Sequence, residues 1–431
     1  MKFTAVGDMI LGRRIQEGFK GYEELTPIIM QGDARFFNLE TTLNKEGECY
    51  GNEFSGGTWL RTNPEILEDI KKFGFNMTTF NNNHAMDYGM EGFLSTLDAV
   101  EKSGLVHAGA GRNLGEASAP RYLDTAAGRV ALISFNSSNE SGPMSAGKQT
   151  PRMKGRPGVN ILKYDSYVEL EKSEFDLMQS IIRKTGINAE FELDKKDGYY
   201  GGVDDSYEMI GKMKFVRAEK TKWIRKCKAE TLERAKNAIY EAQLQADYIM
   251  VTIHNHAMGA EVEESPEFID EFCHFCIDQG AHAVVGHGPH LLRPIEIYKG
   301  KPIIHSLGDF AIELYNVAIA PEDFYAKYGL TSDATVHELL KTRSKDFTIG
   351  LMTKPAMFQT FIPFWETDDE GNLLSMTLYP VVAAMSGKKC DVGLPRLATD
   401  ISYMDDFVRR SEAHGARFKK NADNTFSLIM D

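Results

Sequence analysis

The chain has 431 residues, ample for a large buried core, and 49 basic against 62 acidic side chains leave a formal net charge of -13. That balance argues against a surface that tracks nucleic-acid phosphates, so any anionic group handled here needs a local cationic centre such as a metal ion. Five cysteines, odd in number and scattered, exclude a disulfide framework, and no apolar run approaches the ~18 residues of a membrane-spanning helix.

No signal peptide precedes the first apolar run, so the expectation is a soluble, cytoplasmic protein as given, or a cell-surface one if an upstream signal or anchor was removed. Residues 3–6 form a short strand closed by Gly7-Asp8, which places Asp8 where open α/β sheets present functional side chains. Arg13 and Arg14 follow in a turn and are candidates for holding a substrate anion beside it. A helix over 22–30 leads to a strand over 34–39 that again ends in a carboxylate, Glu40. After a helix over 64–73, the strand over 76–80 runs into Asn81-Asn82-Asn83-His84-Ala85-Met86-Asp87. So many polar groups directly after a buried strand are costly unless they bind one another, backbone or a ligand. A helix over 88–102 follows, then a glycine-rich loop over 109–115 leading into another helix, and a hairpin of 121–124 with 129–135.

From 142 to 245 the composition turns rich in Lys, Glu, Asp and Gly, which reads as a mainly helical insertion with helices over 167–184 and 216–245. A glycine-flanked loop over 198–203 offers Tyr199 and Tyr200. The apolar strand over 247–253 ends in His254-Asn255-His256, and alternate residues on a strand share a face, so the two imidazoles converge. The helix over 266–279 carries Cys273 and Cys276 as packing residues. The strand over 283–285 ends in Gly286-His287-Gly288-Pro289-His290, and a hairpin of 294–298 with 302–306 turns at Gly300. Strands over 359–366 and 374–381 read as an antiparallel hairpin at a sheet edge, and the last fifty residues as helix and tail.

The strand ends thus collect Asp8, Glu40, Asn83, His254, His256, His287 and His290. Carboxylates, an amide and imidazoles are ligands for one or two divalent ions such as Mn, Fe or Zn, and paired ions of this kind serve phosphoester hydrolysis. His84, its tautomer held by Asp87, is the candidate general acid.

Five motifs carry a resemblance: Gly7-Asp8-Met-Ile-Leu-Gly-Arg13, Asn38-Leu-Glu40-Thr41, Asn82-Asn83-His84-Ala-Met-Asp87-Tyr-Gly89, Val251-Thr-Ile-His254, and Gly286-His287-Gly-Pro-His290 through Ile304-His305-Ser-Leu-Gly-Asp309-Phe310. Together they resemble the capsule-synthesis protein CapA family (PGA_cap domain, poly-γ-glutamate biosynthesis), itself related to the calcineurin-like metallophosphoesterases. The resemblance implies an α/β fold, a four-layer α/β/β/α sandwich of the metallophosphoesterase type. One domain would comprise 1–141 and 246–385, with 142–245 inserted and 386–431 as a C-terminal extension. It implies a dinuclear site in which Asp8 and His290 hold one metal, Asn83, His254 and His287 the other, and Glu40 bridges. The chain departs from the phosphoesterase pattern at Asp8-Met9-Ile10, where those enzymes have Asp-x-His, and His256 is the candidate replacement. Glu40 stands where those enzymes have Asp, and His305 and Asp309 where the CapA pattern commonly has Tyr and Asn.

The expected function is a CapA-like metal-dependent hydrolase acting on an anionic small molecule or polymer, a phosphoester or a polyglutamate-like chain. A non-catalytic polymer-binding subunit of a capsule synthesis or export complex, and a metal- or phosphate-binding sensor, stand as alternatives.

Overall fold

A computed structural model describes residues 1–138, 144–200 and 206–430. The expected domain boundary at 141/142 and the 201–203 part of the tyrosine loop lie outside the described residues.

Two sheets dominate. The strand Lys2–Ile10 lies inside a ten-stranded sheet, flanked on one side by Ala34–Leu39 and on the other by Gln359–Thr367 and Asp309–Ile312. A six-stranded sheet runs Leu292–Tyr298, Lys301–Leu307, Ala283–His287, Tyr248–His254, Gly128–Asn136, Arg121–Thr125. Central strands such as Tyr248–His254 and Ala283–His287 are buried along their whole length because both faces are covered. One apolar cluster joins the sheets face to face through Phe3, Phe36 and Trp365 of the first and Met250, Val285 and Ile304 of the second. The opposite face of the first sheet packs Phe37 and Phe80 against Leu25, Ile70 and Phe93 of the helices Lys20–Ile29, Ile66–Lys71 and Gly89–Ser103. The opposite face of the second packs Ile133 and Val251 against Ile239 and Phe272 of Ala229–Gln243 and Glu267–Asp278. Cys273 and Cys276 are buried in that last cluster as free thiols, matching the packing role expected of them.

Three expectations need correction. The 142–245 segment is mixed rather than mainly helical: beside the helices Lys172–Thr185, Ala189–Lys196 and Ala229–Gln243, the strands Tyr164–Leu170, Tyr207–Ile210, Met213–Arg217 and Lys222–Cys227 form a four-stranded sheet, on which Lys172–Thr185 packs. Its strands are half-exposed on both faces, so no alternation of apolar and polar residues marks them. The hairpin of Gln359–Thr367 with Leu373–Ala383 is interior to the large sheet, because Lys2–Ile10 pairs with its first strand and Phe426–Leu428 with its second. The last fifty residues are more than helix and tail. Pro395–Leu397, Phe418–Lys420 and Phe426–Leu428 extend that sheet. Among the described residues no helix is long and apolar enough to cross a membrane.

Candidate metal centre

Parallel strands in register bring the functional side chains together. In the large sheet Asp8 lies opposite both Asn38 and Asp309, with an irregularity in the ladder on either side of it. In the second sheet His254 lies opposite His287 on one side and Asn136 on the other. Apart from Asp309, which opens its strand, both rows sit toward carboxyl ends of strands, so the two sheets deliver acids and imidazoles to one pocket.

All seven expected ligands meet there. His254 Nδ1 is 2.9 Å from His287 Nδ1 and 4.0 Å from Asp8 Oδ1, and His287 Nδ1 is 3.6 Å from Asp8 Oδ1. The other nitrogen of His254 faces a second group: Nε2 is 2.8 Å from Asn83 Oδ1, 3.0 Å from His256 Nε2 and 3.7 Å from Glu40 Oε1. Glu40 also belongs to a group with Asp8, His290 and Asp309 whose donor atoms lie within 4.8 Å of one another. It therefore stands between two sets of ligands. Asp309 was not among the expected ligands, yet it is fully buried and its Oδ1 is 2.9 Å from His290 Nδ1. Its signal was present: Gly308-Asp309 repeats the Gly7-Asp8 arrangement at a strand junction.

The electrostatics are those of a cation site. Asp8, Glu40 and Asp309 are all 0% exposed. Burial pushes Asp8 up to about 7, the Asp309 charge adding to it, while hydrogen bonds from Asn38 Nδ2 (2.7 Å) and Gly288 N–H (2.9 Å) oppose the shift. Burial and repulsion from Asp8 and Asp309 raise Glu40 well above the carboxylate range. Burial holds His287 down near 3, and burial with neighbouring imidazoles keeps His254 and His256 neutral. At His290 burial disfavours the cation, but the Asp309 and Asp8 charges outweigh it. Neutral imidazoles facing buried acids present lone pairs, which is what a divalent ion requires.

The residues fit such an ion on a direct observation. Both Glu40 oxygens, Asp309 Oδ2 and His287 Nε2 are buried without a hydrogen-bond partner. Leaving one buried polar atom unpaired costs about 1–3 kcal/mol, and more for a charged group, so the unpaired oxygens of Glu40 and Asp309, which belong to one group of donors, call for a shared partner.

His84 lies beside the ligands rather than among them. Its Nδ1 is 2.6 Å from Asp87 Oδ2, and its Nε2 faces Glu40 Oε1 at 3.9 Å. Asp87 is fixed by backbone N–H donors from Gly56 (3.0 Å) and Leu60 (2.8 Å). The loop over 52–60 is thereby folded over His84 and borders a cleft of about 580 Å³ lined by Phe54, Gly56, Trp59, Asn83, His256 and Lys327. Arg13 and Arg14 do not join this site. Arg13 Nε donates to the buried Glu313 at 2.8 Å, and Arg14 pairs with the buried Asp69 at 2.5 Å and with Glu68 at 3.3 Å. These partners lie 300 and about 55 positions away along the chain, beyond the reach of local pattern reading.

Comparison with known proteins gives a consistent picture. The family described as "Bacterial capsule synthesis protein PGA_cap" matches residues 2–313. An uncharacterized protein of Sinorhizobium fredii, y4sH, is 31% identical over 437 aligned residues, 96% of this chain and 90% of that protein. The capsule biosynthesis protein CapA of Bacillus anthracis is 22% identical over 73% of this chain, and the PGA biosynthesis protein CapA of Bacillus subtilis 25% over 72%. The matches cover 60% and 62% of those two proteins' own lengths.

Proposed function

This chain belongs to the PGA_cap family of bacterial capsule synthesis proteins, and on that footing we propose that it is a metal-dependent hydrolase of phosphoesterase type, acting in capsule or poly-γ-glutamate synthesis. The observation that carries the reading is Glu40, a fully buried carboxylate with both oxygens unpartnered, standing between two ligand groups. Asp8, His290 and Asp309 with Glu40 would hold one divalent ion. Asn83, His254 and His256 with Glu40 would hold another, and His287 would close the space between Asp8 and His254. A bound ion there supplies Lewis acidity to a phosphoryl group and neutralises charge that builds up during displacement.

The chain's own residues do the rest. Asn38 and Gly288 N–H orient Asp8 by donating to its two oxygens, leaving the carboxylate one direction in which to act. Asp87 accepts the Nδ1 proton of His84, so Nε2 is the atom that exchanges a proton with the pocket. Donation from Nε2 to the leaving-group oxygen makes His84 the general acid, and Asp87 stabilises the imidazolium that precedes it. The cleft bordered by Trp59 and Lys327 admits an anionic small molecule or the end of a polymer.

The test is turnover of chromogenic phosphomonoesters and phosphodiesters by protein loaded with Mn or Zn, next to the Asp8→Ala and His287→Ala variants. Turnover lost in both variants supports the reading. Absence of turnover by the loaded wild type, with binding of polyglutamate, overturns it in favour of a non-catalytic polymer-binding role.

A further inference from the structure

A second set of metal-binding side chains lies away from the centre described above. Glu296, His305 and His414 present donor atoms that all fall within 4.8 Å of one another. Each comes from a different element. Glu296 lies on Leu292–Tyr298, opposite Ile303 of Lys301–Leu307, and His305 is two residues beyond Ile303, so both side chains leave the same face of that hairpin. His414 follows the helix Tyr403–Glu412, in a turn tied to the hairpin by Ile297 N–H donating to His414 O at 3.4 Å and Ile295 N–H donating to Ser411 Oγ at 3.1 Å.

The surroundings match an oriented ligand set. His305 Nδ1 lies 3.0 Å from Ser265 Oγ and 3.7 Å from Asp270 Oδ1, which fixes the ring and turns Nε2 toward Glu296. Nε2 and Glu296 Oε2 are 3.2 Å apart, close to the roughly 3.3 Å that separates two donors of a tetrahedral zinc ion bound at about 2.0–2.1 Å. The other oxygen of Glu296 is held by His274 Nε2 at 2.7 Å, as ligating carboxylates are held by outer partners. His274 is itself stacked on Tyr298, with ring centroids 4.1 Å apart. His305 is buried and His414 exposed, so the group opens to solvent on one side, where an ion can enter and a water can complete four-fold coordination.

We propose that Glu296, His305 and His414 form a zinc-binding site that clips the C-terminal helix to the edge hairpin of the second sheet. Two imidazoles and a carboxylate from three elements make this a site of ordinary zinc chemistry, separate from the Asp8–Glu40 centre. Binding would lock the turn after the helix against strands whose far ends carry the reaction pocket.

The test is metal content after equilibration with zinc and removal of excess, for the wild type, His414→Ala and Glu40→Gln. His414 is exposed, so its replacement leaves the fold intact, which circular dichroism verifies. His414→Ala is expected to retain about one zinc fewer than the wild type, with phosphoester turnover unchanged, while Glu40→Gln keeps the zinc that His414→Ala loses. Zinc should also raise the melting temperature of Glu40→Gln by more than that of a Glu40→Gln/His414→Ala double variant. Equal zinc content in the wild type and His414→Ala overturns the proposal.

Discussion

The backbones of Gly7 and Gly308 cross in contact: a side chain at Gly7 would meet the carbonyl oxygen of Gly308 at 1.8 Å, and the Asp8 N–H donates to that same oxygen at 2.9 Å. Two acids of the candidate metal centre, Asp8 and Asp309, each follow one of these glycines, so their spacing is set by main chain rather than by side-chain packing. Gly7→Ala is expected to force the strands apart, costing about 1–3 kcal/mol of stability and weakening metal binding about 10–100-fold. Calorimetric titration of the chelator-treated variant with Mn checks this.

Glu40→Gln separates stability from function. It removes a buried carboxylate that has no internal partner, so the metal-free variant should melt higher than the metal-free wild type at pH 8, by about 1–3 kcal/mol of added stability. The same change should abolish phosphoester turnover. A metal-free variant less stable than the wild type would show that the pocket meets this charge in another way.

His84→Asn should lower kcat by about 10²–10⁴-fold while leaving metal content unchanged, because in the proposed mechanism His84 hands over a proton and does not ligate. Asp87→Asn should give a smaller loss of kcat together with a lower melting temperature, since Asp87 also accepts from Gly56 and Leu60. Equal melting temperatures for wild type and Asp87→Asn would remove Asp87 from its place as the anchor of the 52–60 loop.

His282 links stability to pH. Its Nδ1 accepts the N–H of Ile249 at 2.9 Å, and burial, helped by the charge of Lys301, lowers its pKa to about 4 from an ordinary value of 6.5. The fold favours the neutral ring, so this contribution is complete above pH 6.5 and is lost as pH falls toward 4, amounting at most to about 2–3 kcal/mol. His282→Asn keeps an acceptor but cannot titrate. Melting curves of the two metal-free proteins between pH 7 and 4 should converge in slope above 6.5 and diverge below it.

Arg14→Ala should leave KM for anionic substrates unchanged and lower stability by about 1–3 kcal/mol, because it removes a partner of the buried Asp69. A selective rise in KM would return Arg14 to the reaction pocket.

The strand ends of the site were legible because each is an apolar run that stops abruptly at an ionisable residue, a pattern the sequence repeats at Asp8, Glu40, His254 and His287. Asp309 was less so, since it opens a short strand, Asp309–Ile312, after the single residue Gly308 instead of closing a long one. The pairing of Arg13 with Glu313 and the place of Gln359–Thr367 beside Lys2–Ile10 are long-range facts, carried by no local period. The sheet within 142–245 was illegible for a different reason: half-exposed strands in which polar and apolar residues do not alternate carry no amphipathic signature.

Lys2–Ile10 is bordered by Gln359–Thr367, so a central rib of the large sheet closes only when residues 360 to 364 positions apart have met. Such long-distance pairing is slow, and during synthesis Lys2–Ile10 must wait, edge bare, until Gln359–Thr367 has been made. A fragment ending at 313 would carry every expected metal ligand and still leave Lys2, Phe3 and Thr4 without their partner strand, an open edge that favours aggregation.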